Sequence, residues 1–207
     1  MKGKLLVALL ILSTVIGSLA LGSHPRSIAN AVDWWKAWAA YSRTNLLPNE
    51  RGLNVAVLDS AGRSVDTRSF DTYLNPDSGF DRFVEALPPD CWVIIAVRDE
   101  ASASLSTADL AALISLGGTT ALQGRFRSGY VLVGRPRLGL GNGLEATGRG
   151  LLHLHLARGD RIGGLALPTG FTIESAGYEA GDIALLQPDT YKYERLWRWL
   201  RAALSRA

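Results

Sequence analysis

The chain has 207 residues, of which 47% are hydrophobic and 20% charged, so it can bury a sizeable core and does not have the composition of a disordered protein. Lysine and arginine number 22 against 19 aspartate and glutamate, a net charge of +3. The middle of the chain has no stripe of basic residues with interleaved aromatics, which argues against nucleic-acid binding. Cys91 is the only cysteine, which excludes an intrachain disulfide and a cysteine-based zinc site. The apolar run that follows it predicts a buried, structural thiol.

Residues 1–26 predict an export signal or a membrane anchor. Lys2 and Lys4 precede an uncharged apolar run at residues 5–21, the pattern of a signal sequence. As a helix this run would span about 26 Å, slightly less than a bilayer core. Its length favours an uncleaved anchor, while the small residues at 18–20 (SLA) fit a cleaved signal. Either version places the rest of the chain outside the cytoplasm, membrane-anchored or secreted.

Residues 27–50 predict a helix rich in tryptophan, followed by a linker that opens at Pro48. Trp34, Trp35 and Trp38 come shortly after the apolar run, where indoles commonly sit at a membrane interface. The alternative is that these rings cover the folded domain.

From residue 51 onward, apolar strands alternate with turns and amphipathic helices. Residues 92–97 (WVIIAV) are apolar on both faces and predict a central strand. Ser106 and Asp109 form a capping box that begins a helix. The pattern predicts an α+β fold of compact, mixed and largely antiparallel β-sheets with two to three packing helices, preceded by an N-terminal transmembrane or signal helix. Further strands are predicted at 53–58, 64–73, 130–134, 151–156, 171–175 and 182–186, and further helices at 80–87 and 191–207.

Motifs for catalysis and metal binding are weak. The glycine-rich residues 139–143 do not lead into a helix, so a flexible turn is favoured over a phosphate cradle. His153 and His155 fall on one face of a strand, but no third ligand is evident nearby, and zinc at a catalytic site wants three. No nucleophile elbow, zinc-protease motif, Cys–His pair or supported pair of catalytic carboxylates is present. The sequence therefore predicts a protein that is not an enzyme and has no metal or cofactor.

Five motifs occur in the order that a known family shows. They are RGLNVAVLD at 51–59, FDTY at 70–73, VRDEAS at 97–102, SLGG at 115–118 and FRSGYVLVG at 126–134. On these motifs the segment resembles the interleukin-like EMT inducer (PANDER-like) domain family. That family includes secreted cytokine-like proteins and the non-catalytic stem of a protein O-mannose N-acetylglucosaminyltransferase, which binds terminal N-acetylglucosamine. Two departures are the absence of disulfides and Tyr130 where the family often has tryptophan.

The resemblance implies that Arg51, Asp99 and Arg127 contact a sugar. A carboxylate accepts hydrogen bonds from two vicinal hydroxyls, and a guanidinium donates in a planar fork. The structural alternative is that Asp99 and one of the arginines form an ion pair that ties strand ends together.

The tail suggests a rearranged order of strands. Residues 171–182 resemble a strand pair that precedes the first motif in other family members, whereas here the pair follows the domain. We therefore expect a circular permutation in which the tail pairs beside residues 53–58. The predicted domain covers residues 51–190 and the predicted C-terminal helix residues 191–207.

The resulting functional prediction is a non-catalytic, membrane-anchored, extracytoplasmic carbohydrate-binding module that recognises terminal sugars such as N-acetylhexosamine. The alternative is a protein-interaction or assembly subunit of a membrane or cell-envelope complex, which would hold a membrane-protein partner. The expected partners are accordingly a glycan and, through the N-terminal helix, a membrane.

Overall fold

The structure is a computed structural model that describes residues 45–189. The predicted anchor, the tryptophan-rich helix and the C-terminal helix lie outside the described residues. Between residues 45 and 189, no helix is both long and apolar enough to cross a membrane.

The described chain is mostly β-sheet, with two helices. The strands are β1 (Gly52–Leu58), β2 (Ser64–Phe70), β3 (Trp92–Asp99), β4 (Gly129–Gly134), β5 (Leu144–Gly148), β6 (Leu152–Leu156), β7 (Arg161–Ile162), β8 (Leu165–Ala166), β9 (Phe171–Gly177) and β10 (Ile183–Pro188). The helices are α1 (Phe80–Glu85) and α2 (Thr107–Ser115), and a short 3-10 helix covers Tyr178–Ala180.

The strand β3 is the centre of an eight-stranded sheet that curls into a half-barrel. One edge of β3 pairs with β1 along its length, and β1 pairs with β2. The other edge pairs with β4 at residues 93–96 and with the end of β9 at residues 98–99. Among the strand pairings within residues 45–189, only that of β3 with β9 is parallel, so the largely antiparallel sheet expected from the sequence is observed. The strands β9, β10 and β6 form the second wall of the half-barrel.

Two hydrophobic clusters lie on opposite faces of β1 and β3. Odd-numbered residues of β1, such as Leu53 and Val55, face the helices together with Leu113. Even-numbered residues, such as Ala56, face the second wall together with Ile173. All seven residues of β1 are buried because the strand is covered on both faces.

The sequence predicted most of these elements. The strand predicted at 92–97 is the central strand β3. The predicted capping box is also present. Ser106 Oγ accepts a hydrogen bond from the Asp109 N–H, and the Asp109 carboxylate accepts one from the Ser106 N–H. The second strand ends at Phe70 rather than at 73, since Asp71 accepts hydrogen bonds from the N–H groups of Tyr73 and Leu74 and closes a turn.

The expected pairing of the tail is wrong. The two predicted strands exist as β9 and β10, but they join the sheet at β3 and not beside residues 53–58. Both edges of β1 are already occupied, by β2 and β3, so no edge is left for the tail.

Residues 45–50 form a strap along the free edge of β10. The Asn45 side chain donates to the Ala184 carbonyl (2.9 Å) and accepts from the Leu186 N–H (2.9 Å), which reproduces the bonds of a neighbouring strand. The Leu46 N–H donates to the Leu186 carbonyl at 3.0 Å. Leu47 is buried in the hydrophobic cluster that faces the second wall, so the strap belongs to the domain.

Candidate functional site

The three residues implied by the resemblance lie at one end of the central sheet, where β3 finishes. Asp99 is the last residue of β3, and Arg51 lies across from it because Gly52 pairs with Arg98. Gly177, the register partner of Asp99, packs against the backbone of Arg127. We call this the site end of the domain.

Arg51 is held by Asp71 rather than by Asp99. Its Nη2 lies 2.6 Å from Asp71 Oδ2, and its guanidinium lies 5.1 Å from the centre of the Tyr73 ring. The hydrogen bonds from Arg51 lower the pKa of the Asp71 carboxyl, and those same bonds raise the pKa of Arg51. The pair therefore fixes the guanidinium, and about a third of its side chain (35%) stays exposed.

Arg127 lies between two exposed aromatic rings. Its guanidinium carbon is 5.1 Å from the centre of the Phe126 ring and 4.6 Å from that of Tyr178. Both aromatic residues are more than half exposed, at 55% and 57%. The nearest ion-pair partner is Glu179 at 4.0 Å, and its side chain is 79% exposed, so this pairing is weak.

The Asp99 carboxylate forms no hydrogen bond or salt bridge within residues 45–189. It is half-buried, and its charge adds to that of Asp71 in raising the pKa of Arg51. The ion pair between Asp99 and either arginine, which was the structural alternative, is not formed among the described residues. Asp99 is therefore a half-buried hydrogen-bond acceptor that the groups of residues 45–189 leave available.

Two buried features position the Arg127 loop. The Glu100 carboxylate is 2% exposed and accepts hydrogen bonds from the backbone N–H groups of Ser102 and Arg127 and from the Ser102 hydroxyl. A Cβ atom at Gly177 would overlap the carbonyl oxygen of Arg127, so only glycine fits there. Asp99 and Glu100 thus have different roles, one at the surface and one buried as a support.

Backbone strain is concentrated at the site end. Between residues 45 and 189, five non-glycine residues have positive φ, and four of them lie here, namely Asn49 (61°), Asp99 (61°), Arg127 (54°) and Asp182 (51°). Arg98 ties two of these together, since it donates to the Asn49 carbonyl at 2.8 Å and to the Asp182 carboxylate at 2.9 Å. Strained backbone of this kind costs about 1 kcal/mol or more per residue and clusters at functional sites.

Sequence reasoning missed the aromatic part of the site. Phe126 and Tyr73 belong to motifs that carry the family resemblance, so the sequence could have indicated that aromatic rings lie near the two arginines. Tyr178 lies far along the chain, and only the pairing of β9 with β3 brings it to Arg127.

Other candidates lie elsewhere. A groove of about 320 Å³ runs between α1 and α2. Half of its lining is apolar, from three alanines, Val84 and Leu87, and the other half is Asp81, Glu85, Ser115, Pro136 and Arg137, with none of the site residues. His153 contacts Glu174 at 2.8 Å and His155 contacts Thr172 at 3.3 Å, and the described residues contain no group of three metal ligands. Cys91 is buried, as expected, and burial raises the pKa of its thiol.

Comparison with known proteins bears on the identity of residues 51–136. No curated protein matches the chain. Residues 51–136 match the family described as Interleukin-like EMT inducer, and this match includes Arg51, Asp99 and Arg127 together with β1 to β4. Within this chain, residues 51–136 are thus an interleukin-like EMT inducer domain, as their motifs predict.

Proposed function

We propose that the protein is a non-catalytic, membrane-anchored, extracytoplasmic carbohydrate-binding module, and that the site end binds a terminal sugar such as N-acetylhexosamine. The observation that carries the proposal is that Arg51, Asp99 and Arg127 lie at one end of the sheet, and that the Asp99 carboxylate forms no hydrogen bond or salt bridge within residues 45–189. These three residues are separated by 28 to 76 positions in the chain, and the fold brings them to the same end of the domain, beside exposed aromatic rings.

The chemistry of these groups suits a sugar. Asp99 offers two oxygens to adjacent hydroxyl groups, while Arg51 and Arg127 donate to hydroxyl or acetamide oxygens. Phe126 and Tyr178 offer flat apolar surface to the C–H face of a pyranose ring. A few placed polar groups beside aromatic surface are the usual composition of a small-ligand site.

The charge balance favours a neutral sugar over a polyanion. Asp71 neutralises Arg51, Asp182 neutralises Arg98, and Glu179 lies near Arg127. Asp99 then adds a negative charge that forms no ion pair within residues 45–189. The Asp99 carboxylate would repel a ligand rich in carboxylate or sulfate groups. Uronic-acid polymers and sulfated glycans are therefore expected to bind poorly.

The alternative is a protein-interaction or assembly subunit of a membrane or cell-envelope complex. The same surface supports it, because the exposed Tyr178 and Phe126 and the half-exposed Arg127 are residue types that are enriched at protein–protein interfaces. The two functions can be distinguished with purified protein, since only a carbohydrate-binding module is expected to bind free glycans.

The test is a glycan-array screen of the full chain in detergent. The variants are Asp99→Asn and Arg127→Lys, chosen because asparagine tolerates the positive φ of residue 99 and lysine keeps the charge of residue 127 without its planar fork. The matched controls are Asp90→Asn and Arg158→Lys, which change exposed residues outside the site end.

We expect the wild type and both controls to bind glycans ending in N-acetylhexosamine, and each site variant to bind at least about tenfold more weakly, a loss of about 1.4 kcal/mol. Folded wild-type protein that binds no glycan, but co-purifies with a membrane protein, would support the assembly subunit. Equal losses in the control variants would place the binding surface elsewhere.

A further inference from the structure

The end of the domain opposite the site end carries exposed leucines on glycine-rich loops. Leu140 is 64% exposed, between Gly139 and Gly141, and Leu165 is 41% exposed, directly after Gly163 and Gly164. The two loops touch, because the position of a Cβ on Gly163 lies 3.2 Å from the Asn142 carbonyl oxygen. All four glycines have positive φ, so the chain turns sharply and holds each leucine outward.

The same loops carry three exposed arginines. Arg137, Arg158 and Arg161 are exposed, and none forms a salt bridge with any residue between 45 and 189. The one acidic side chain in these loops, Asp160, accepts a hydrogen bond from the Ala157 N–H. We call residues 135–143 and 157–170 the arginine end of the domain.

The chain leaves the described domain at this end. β10 runs from the site end to Pro188, and the Asp189 N–H donates to the Gly170 carbonyl at 2.7 Å. Gly170 adjoins the Arg158 backbone. The next 18 residues contain Lys192 and four arginines against Glu194 alone, and they include two tryptophans. That composition is typical of segments that bind anionic lipid interfaces.

We propose that the arginine end faces an anionic lipid surface, that Leu140 and Leu165 enter its interface, and that the site end consequently points away from the membrane. This inference rests on the membrane anchoring proposed above. Leucines at loop tips supply buried apolar area, and the arginines around them pair with lipid phosphates and carboxylates. β9 separates the two ends by about 20 Å, which keeps a sugar bound at the site end clear of the headgroups.

The test places an environment-sensitive fluorophore on single cysteines in the full chain. The buried native Cys91 is replaced by serine, and the label is attached at Leu140→Cys or at the control Leu74→Cys. Leu74 is a matched control because it is 66% exposed and follows Asp71 at the site end. Each labelled protein is reconstituted into phosphatidylcholine vesicles, with and without phosphatidylserine, that contain a lipid-borne quencher.

We expect the label at 140 to lose about half of its fluorescence to the quencher in vesicles with phosphatidylserine, and the label at 74 to lose almost none. Replacing Arg137, Arg158 and Arg161 with glutamate should abolish the loss at 140 while the protein still floats with the vesicles. Equal quenching at both labels, or stronger quenching at 74, overturns the proposed orientation.

The possible failures are distinguishable. Protein that does not float with vesicles overturns the anchoring and this inference together. Protein that floats without quenching at 140 overturns the inference alone, and points to a protein partner as the occupant of the arginine end. Glycan binding, measured in detergent, is independent of both results.

Discussion

Tyr130 is the bulkiest of the fully buried side chains within residues 45–189, and its hydroxyl donates to Glu145 Oε1 at 2.6 Å. The same carboxylate accepts hydrogen bonds from the Thr119 hydroxyl (2.6 Å) and N–H (3.1 Å). This network joins β4, β5 and the turn after α2. Burial and the neighbouring Glu145 together raise the pKa of Tyr130 well above its ordinary value, so the phenol stays protonated in the folded protein.

The raised pKa of Tyr130 predicts a loss of stability in alkali. In the unfolded chain the phenol ionises near pH 10, whereas in the folded chain it stays neutral, so the unfolded state releases a proton first. The free energy of unfolding should therefore fall with rising pH above about 10, by up to about 1.4 kcal/mol per pH unit from this group. Urea denaturation of wild type and Tyr130→Phe between about pH 8 and 11 measures it.

The comparison between the two proteins isolates the phenol, because other groups that titrate in alkali are common to both. Tyr130→Phe should cost about 1 kcal/mol near neutral pH, through the lost hydrogen bond, and the difference should shrink as the pH rises. A difference that is constant across the range would mean that the Tyr130 phenol ionises alike in both states.

For the site, single residues could be predicted from sequence only where a motif carried them. Arg51, Asp99 and Arg127 come from motifs inside residues 51–136, and the fold does bring them to one end. Their partners could not be predicted, since the bond from Arg51 to Asp71 depends on the turn that closes β2. Likewise, Tyr178 reaches Arg127 through a pairing of only two residues between β3 and β9.

Among the elements, local signals were reliable and pairing was not. The capping box and the apolar run of β3 are encoded by neighbouring residues, so the sequence predicted both. Which edge a strand occupies depends on the whole sheet. The tail was placed beside β1, but β1 has two neighbours already, whereas β3 still has an open edge at residues 98–99.

The strap at residues 45–50 makes a prediction at the scale of one element. Asn45→Asp should destabilise the domain by about 2 kcal/mol, because Asn45 Nδ2 is a donor to the Ala184 carbonyl and a carboxylate would put a second acceptor against it. The control is Asn75→Asp, since the Asn75 side chain acts as an acceptor towards the Asp77 N–H and a carboxylate keeps that bond. Urea melts of both variants at neutral pH give the comparison, and equal stability of the two would show that the strap is not held by this bond.

In the whole domain, the two hydrophobic clusters are coupled because they share β1 and β3 as a common wall. The match to the family stops at residue 136, yet β9 and β10 lie beyond it and supply Phe171, Ile173 and Leu186 to the second cluster. Without these strands, one face of β3, including Trp92 and Ile94, would lose its cover. The matched segment is therefore one side of a larger folding unit.

This coupling predicts a single unfolding transition for both clusters. Leu113→Ala, in the cluster beneath the helices, and Ile173→Ala, in the cluster beneath the second wall, each remove a fully buried side chain and should each cost about 2 to 5 kcal/mol. Both variants should shift the same cooperative transition, seen alike by circular dichroism and by tryptophan fluorescence. If Ile173→Ala instead produced a separate early transition and left the later one unchanged, the segment 51–136 would be an independent unit and β9 and β10 an appended layer. Coincident shifts in both variants would mean that the site end, built from β1, β3, β4 and β9 together, forms only when the whole domain has folded.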